Sequence, residues 1–129
     1  MAERAAPDPV RELWERFEAR DWDGAAGQLH PEFVGDWPLT GERFRGPADF
    51  FAMNRAHPAP NWHIRIVSIV WAGDEVAAEV EVPSDGAVDF CLGFYTLRDG
   101  RIHRAREYWA SQAIEAIPAW RARWTERIG

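Results

Sequence analysis

Glu107 and His103 lie four residues apart on the returning arm of a hairpin. A carboxylate with an imidazole is a combination that moves protons near neutral pH. Asp99-Gly100 is a two-residue turn signal between apolar runs. With that turn, Arg98 faces Arg101, Glu107 faces Leu92, Ala105 faces Phe94, Trp109 faces Phe90 and His103 faces Thr96. Alternation then puts all of these on one face. A carboxylate among Phe90, Leu92, Phe94 and Trp109 is costly to ionise, so its pKa rises, and a glutamate becomes a usable acid or base. The competing reading ties Glu107 to an arginine as a structural ion pair.

The other candidates rank behind it. Glu79 and Glu81 share a face on an earlier strand, where acids alternating with valines also describe a solvated face. Glu81 is nevertheless the second candidate acid, and His103 a candidate assistant to Glu107. Trp14 and Trp37, together with Phe90, Leu92, Phe94 and Trp109, are the expected walls of a ligand pocket. His30, His57, His63 and His103 have no metal-ligand spacing in the chain, and the single cysteine adds none, so neither metal nor cofactor is expected. Cys91 is expected on the face away from Glu107 as a buried, inert thiol. Asp36, opposite in phase to Trp37, is expected to be structural. There is no glycine-rich phosphate loop and no nucleophile elbow.

The elements that must position these groups are legible from spacing. Asp8-Pro9 starts a helix whose Val10, Leu13, Trp14 and Phe17 fall on one face. Asp23 is expected to cap a short second helix, ending at His30-Pro31. A strand is expected over Phe33 to Trp37, a second over Arg43 to Arg45, and a third helix after Gly46-Pro47. Residues 57–61 form a loop. Trp62 to Ala72 alternates with a slip of phase near Ile66-Val67, the mark of a β-bulge. Glu75 to Val82, Val88 to Arg98 and Arg101 to Trp109 continue as strands. Pro118 opens a last helix carrying Trp120, Trp124 and Ile128. Helices segregated from a run of antiparallel strands make an α+β fold, and a curved sheet leaves a hollow where ligands bind. The expected organisation is one domain over residues 1–129, with a core at 8–112 and a helical extension at 113–129.

Composition narrows the function classes. The chain has 129 residues and a net charge of −6, with no basic face for nucleic acid. No apolar run reaches the length of a membrane span. One cysteine and the absence of a signal-peptide layout point to the cytoplasm. All fifteen basic residues are arginine, which removes lysine Schiff-base chemistry. Eight tryptophans exceed what a simple core of this size uses.

The stretch Trp37-Pro38-Leu39-Thr40-Gly41-Glu42-Arg43-Phe44-Arg45-Gly46, the block Gly93 to Ile102 and the ending Arg106-Glu107-Tyr108-Trp109 resemble the SnoaL-like branch of the nuclear transport factor 2 superfamily, over residues 9–112. The resemblance implies a cone: a curved antiparallel sheet wrapped on three N-terminal helices. It also implies a pocket and pairing through the outer sheet face. The family includes polyketide cyclases, ketosteroid isomerase, limonene epoxide hydrolase and non-catalytic members. Glu107 stands where the epoxide hydrolase has the aspartate of its Arg-Asp-Tyr. Glu81 stands for an aspartate on an earlier strand, with Glu79 in place of that enzyme's arginine, which argues against epoxide opening. The positions of the isomerase's two acids fall at Trp37 and Leu92, which argues against that isomerisation.

The expected function is therefore a pocket for a small hydrophobic molecule. It either performs acid–base isomerisation, cyclisation or dehydration, or binds without chemistry. A homodimer is expected because Val88 to Arg98 is apolar on both faces. Cys91, Tyr95, Leu97, Ile102 and Tyr108 are assigned to its interface, with Arg104 and Arg106 at the rim. The Trp120/Trp124 helix is the competing cover.

Overall fold

Val10, Leu13, Trp14 and Phe17 are all buried on helix α1 (Asp8–Glu18), so the apolar spacing read from the chain does face the core. This is seen in a computed structural model that describes residues 7–112 and 116–128. Helix α2 (Trp22–Ala26) is capped by Asp21 rather than Asp23, with the Gly24 N–H donating to Asp21 Oδ1 at 2.9 Å. Asp21 also accepts from Arg16 at 2.8 Å, so one carboxylate joins the two helices. Asp21→Ala is expected to lower stability by about 1 kcal/mol, the usual effect of losing a cap; a thermal melt checks it, and an unchanged midpoint would dismiss the cap.

The remaining elements are β1 (Leu29–Trp37), β2 (Glu42–Arg45), α3 (Pro47–Arg55), β3 (Arg65–Ala72), β4 (Glu75–Ser84), β5 (Ala87–Arg98), β6 (Arg101–Ser111) and α4 (Ala119–Ala122). One curved, unclosed sheet runs in the order β2-β1-β6-β5-β4-β3, with the N-terminal helices packed against it. The α+β architecture is as expected, with one correction to the sheet. β1 pairs with β6 in parallel, while every other pair is antiparallel. The chain leaves β1 through β2 and α3, builds β3 to β6 as a meander, and brings β6 back beside β1. β1 is also longer than the five residues from Phe33. It starts at Leu29 and slips register between Leu29 and Val34, a stretch that contains Pro31, which has no N–H for the ladder. Across the β1–β2 hairpin, Arg43 donates to Asp36 at 2.6 and 2.9 Å, the structural role expected of Asp36. The slip near Ile66-Val67 is real: Ile66 pairs with Val80 and Ser68 with Glu79, leaving Val67 unpaired.

A second bulge changes the reading of the site. Arg98 faces Arg101 and Leu97 faces Ile102 as expected, but Thr96 faces Arg104, and His103 is left without a partner. From there Tyr95 faces Ala105, Gly93 faces Glu107 and Cys91 faces Trp109. A slip of one residue exchanges the faces of a strand. Cys91, Tyr95 and Leu97 are consequently buried beneath the helices, while Leu92 and Phe94 lie 47% and 42% exposed on the outer face.

The expected C-terminal helix is a single turn. Trp120 and Trp124 are 73% and 67% exposed, so that turn does not cover the outer face. The expected extension over 113–129 includes 113–115 and 129, which lie outside the described residues.

Candidate active site

Glu107 points from β6 into the core beneath the helices and is 3% exposed. Its Oε2 accepts from the Tyr95 hydroxyl at 2.7 Å. Its Oε1 accepts from Trp37 Nε1 at 3.1 Å and Trp109 Nε1 at 3.4 Å. All three donors are neutral. Among the described residues no arginine pairs with this carboxylate, so the ion-pair reading does not describe it there. Burial raises its pKa, opposed by the hydrogen bonds from Tyr95, Trp37 and Trp109. Cys91 lies against it on the same face, not the opposite one, and burial, then the Glu107 charge, pushes that thiol well above its ordinary value. An unreactive thiol follows.

Gly93 makes the Tyr95 bond possible. A Cβ on Gly93 would fall 2.2 Å from the Tyr95 hydroxyl oxygen and 2.5 Å from Cζ. The tyrosine therefore lies back along its own strand over the glycine, and its hydroxyl reaches the residue facing Gly93 across the hairpin. Neither Gly93 nor Tyr95 stands out from spacing alone, because the unbulged register places Tyr95 on the other side of the sheet. Trp14 closes this cluster. Its Nε1 is buried without an acceptor in good geometry. Burial, then the Glu107 charge, pushes the Tyr95 hydroxyl well above its ordinary pKa, with the Trp14 indole opposing.

The indoles of Trp37 and Trp109 form the boundary between Glu107 and a cleft of about 440 Å³. Met53, Ala56, His57 and Pro58 from the end of α3 and its following loop line one side. Asp89, Ala110 and Ser111 from the ends of β5 and β6 line the other. Trp14, Trp109 and His57 also border a small cavity of about 20 Å³ deeper in. Of the expected pocket walls, Trp14, Trp37 and Trp109 are brought together. Phe90, Leu92 and Phe94 are not: the bulge at His103 places Leu92 and Phe94 on the outer face, and Phe90 shares their phase. Met53, His57, Pro58 and Asp89 were not singled out from the sequence. They come from a loop and a strand end, where periodicity carries no signal.

Glu81 and His103 lie elsewhere. Glu81 alternates with the buried Val80 and Val82 and pairs with Arg65 across β3–β4, so it belongs to the outer face. His103 sits at the bulge with its ring 5.0 Å from that of His30. Burial, then Arg104 and Arg98, holds it below its ordinary pKa. No hydrogen bond joins it to Glu107 among the described residues. His30, Glu32 and His103 do converge, with donor atoms within 4.8 Å of one another, although His103 is far from the other two in the chain. His30 and Glu32 are engaged internally. His30 Nδ1 accepts from the Glu32 N–H at 3.0 Å, His30 Nε2 lies 3.6 Å from Asp99, and Arg98 lies 3.5 Å from Glu32.

The family model of the SnoaL-like domain matches residues 10–105, most of the chain. The chain belongs to the SnoaL-like family. Glu107 lies just past the end of the matched segment. Solved structures agree on the fold of this SnoaL-like domain. A candidate ketosteroid isomerase from Kribbella flavida is similar at a TM-score of 0.86 and 23% identity, over 96% of this chain and 90% of that one. An NTF-2 like protein of unknown function from Burkholderia xenovorans is similar at 0.79 and 23% identity, over 96% and 95%. An LEH-like epoxide hydrolase from M. tuberculosis is similar at 0.68 and 20% identity, over 81% and 82%. At such identities the likeness is one of fold. No curated protein matches this sequence.

Proposed function

We propose that this SnoaL-like domain binds a small, largely apolar molecule in the Trp37/Trp109 cleft and that Glu107 transfers a proton to or from it, without a cofactor. The observation that carries this reading is a buried carboxyl held only by neutral donors, two of which are themselves cleft walls. Such a group keeps a raised pKa, which suits it to give and take a proton. Isomerisation, cyclisation and dehydration all use that step in a site that excludes water. The similar structures described as ketosteroid isomerase and epoxide hydrolase support a pocket chemistry of this general kind. Proton exchange into a panel of cyclic ketones in deuterated water, followed by NMR, tests it. Exchange that depends on Glu107 supports the reading. Ligands that bind without exchange would favour the second one, a non-catalytic binder. That alternative draws on a specific feature: the indoles, not the carboxyl itself, line the cleft.

The proposed assembly is a homodimer through the outer sheet face, in the cytoplasm. Val70, Leu92 and Phe94 are exposed there. They replace Cys91, Tyr95, Leu97 and Ile102, which are buried within the protomer, while Tyr108 remains on the outer face, 6.2 Å from the Phe94 ring. Clustered exposed apolar side chains of this size mark an interface. Leu92→Glu with Phe94→Glu is expected to convert a dimer to a monomer in light scattering at micromolar concentration; a wild-type monomer refutes the assembly. Among the described residues no helix is long and apolar enough to cross a membrane.

A further inference from the structure

The charge that faces the cleft has one sign. Asp89 lies near the start of β5, in phase with Cys91 and Gly93, and so turns toward the concave side. Ser111 donates to its Oδ1 at 2.7 Å, which fixes the carboxylate against the end of β6. Behind the indoles lies the second carboxyl, Glu107. Among the described residues, no arginine lines this cleft. His57, the basic side chain that does, accepts the Ala59 N–H at Nδ1 and so presents a neutral ring in that arrangement.

The walls suit the same ligand. Trp37 and Trp109 have ring centroids 6.1 Å apart and planes at 56°, a splayed pair rather than a stack. Aromatic faces attract cations through their quadrupole, and tryptophan does so most strongly. A carboxylate at the rim of a half-open apolar cleft acts through less water than one on a flat surface, so its pull on a ligand charge is correspondingly larger. An anionic ligand would meet Asp89 with no compensating arginine among the described residues.

We infer that the cleft selects small apolar molecules carrying a positive charge, with an alkylammonium group set against Asp89 and the indoles, over neutral or anionic molecules of the same shape. This selectivity rests on the reading of the cleft as the ligand site. It narrows the substrate class to amine- or ammonium-bearing compounds, and it assigns Asp89 a binding role separate from proton transfer by Glu107.

The test uses the full chain and three probes of matched size: benzyltrimethylammonium, its carbon isostere neopentylbenzene, and benzenesulfonate. Binding is read by calorimetry and by the indole N–H resonances of Trp37 and Trp109. The ammonium is expected to bind about tenfold more tightly than the isostere, the scale of a partly desolvated cation–π contact aided by a carboxylate. Benzenesulfonate is expected to bind worst. Asp89→Asn keeps an acceptor for Ser111 and removes the charge; it should reduce the ammonium's advantage and leave the isostere's affinity unchanged. Equal affinity of the ammonium and the isostere for the wild type would overturn the selectivity while leaving the ligand site standing. A preference untouched by Asp89→Asn would overturn the role of Asp89. No probe moving the Trp37 and Trp109 resonances would overturn both the selectivity and the site beneath it.

Discussion

Glu107→Gln is expected to slow proton exchange in the cleft by about 100-fold or more, the scale on which general acid–base catalysis is lost. The amide keeps the shape. Its oxygen can take the indole N–H groups of Trp37 and Trp109, and its NH2 can donate to a turned Tyr95 hydroxyl. The same variant should be more stable than the wild type at neutral pH, and the pH dependence identifies the cause. Burial raises the folded-state pKa of Glu107 above its ordinary value of 4.5. Between the two values the folded chain binds more protons than the unfolded one, so the wild type loses stability as pH rises through that window. Glutamine does not titrate. The melting-temperature gap between variant and wild type should therefore widen as pH rises above 4.5 and close below it. A variant destabilised equally at all pH values would show instead that the carboxylate's hydrogen bonds hold the core together, and unchanged exchange would remove Glu107 from the chemistry.

Gly93→Ala is expected to be the most damaging single methyl group in the site. The new Cβ would stand 2.2 Å from the Tyr95 hydroxyl and 2.6 Å from the ring Cε2, an overlap that only a movement of the ring relieves. Overpacking of this kind costs about 1–3 kcal/mol. Moving the ring also breaks the 2.7 Å bond to Glu107 and leaves that buried oxygen without its best donor, which adds about 1–3 kcal/mol. Tyr95→Phe removes the bond without the overlap and should cost distinctly less. Chemical denaturation of both variants checks the order. A Gly93→Ala protein as stable as the wild type would mean that Tyr95 does not lie over the glycine.

The reading of the sheet from sequence succeeded where local signals were strong. The α1 apolar stripe, the bulge at Val67 and the Asp99-Gly100 turn each depend on neighbours a few residues away, and periodicity records them. The parallel β1–β6 contact depends on where a strand returns after more than sixty residues of chain, and no local pattern encodes it. The α2 cap went to Asp21 instead of Asp23 for a similar reason: both aspartates fit the pattern, and the one that also meets Arg16 was used.

For the site, the chain itself determined the chemistry available: one carboxylate on an otherwise mostly apolar strand face, with abundant tryptophan around it and no lysine. Tertiary structure decided its company. The bulge at His103 shifts the phase of β6, with Ile102 and Ala105, three residues apart, both facing inward on either side of it, and alternation counted straight back from the Asp99-Gly100 turn misses that shift. What it changes is the partner strand, moving Tyr95, Gly93 and Cys91 toward Glu107 and Leu92 and Phe94 away. Beyond Trp37 and Trp109 the cleft had no sequence signature, since its other walls are assembled from the end of α3, a loop and the ends of β5 and β6. A strand's faces follow from residue order, but which two faces meet follows from a register that a single unpaired residue resets.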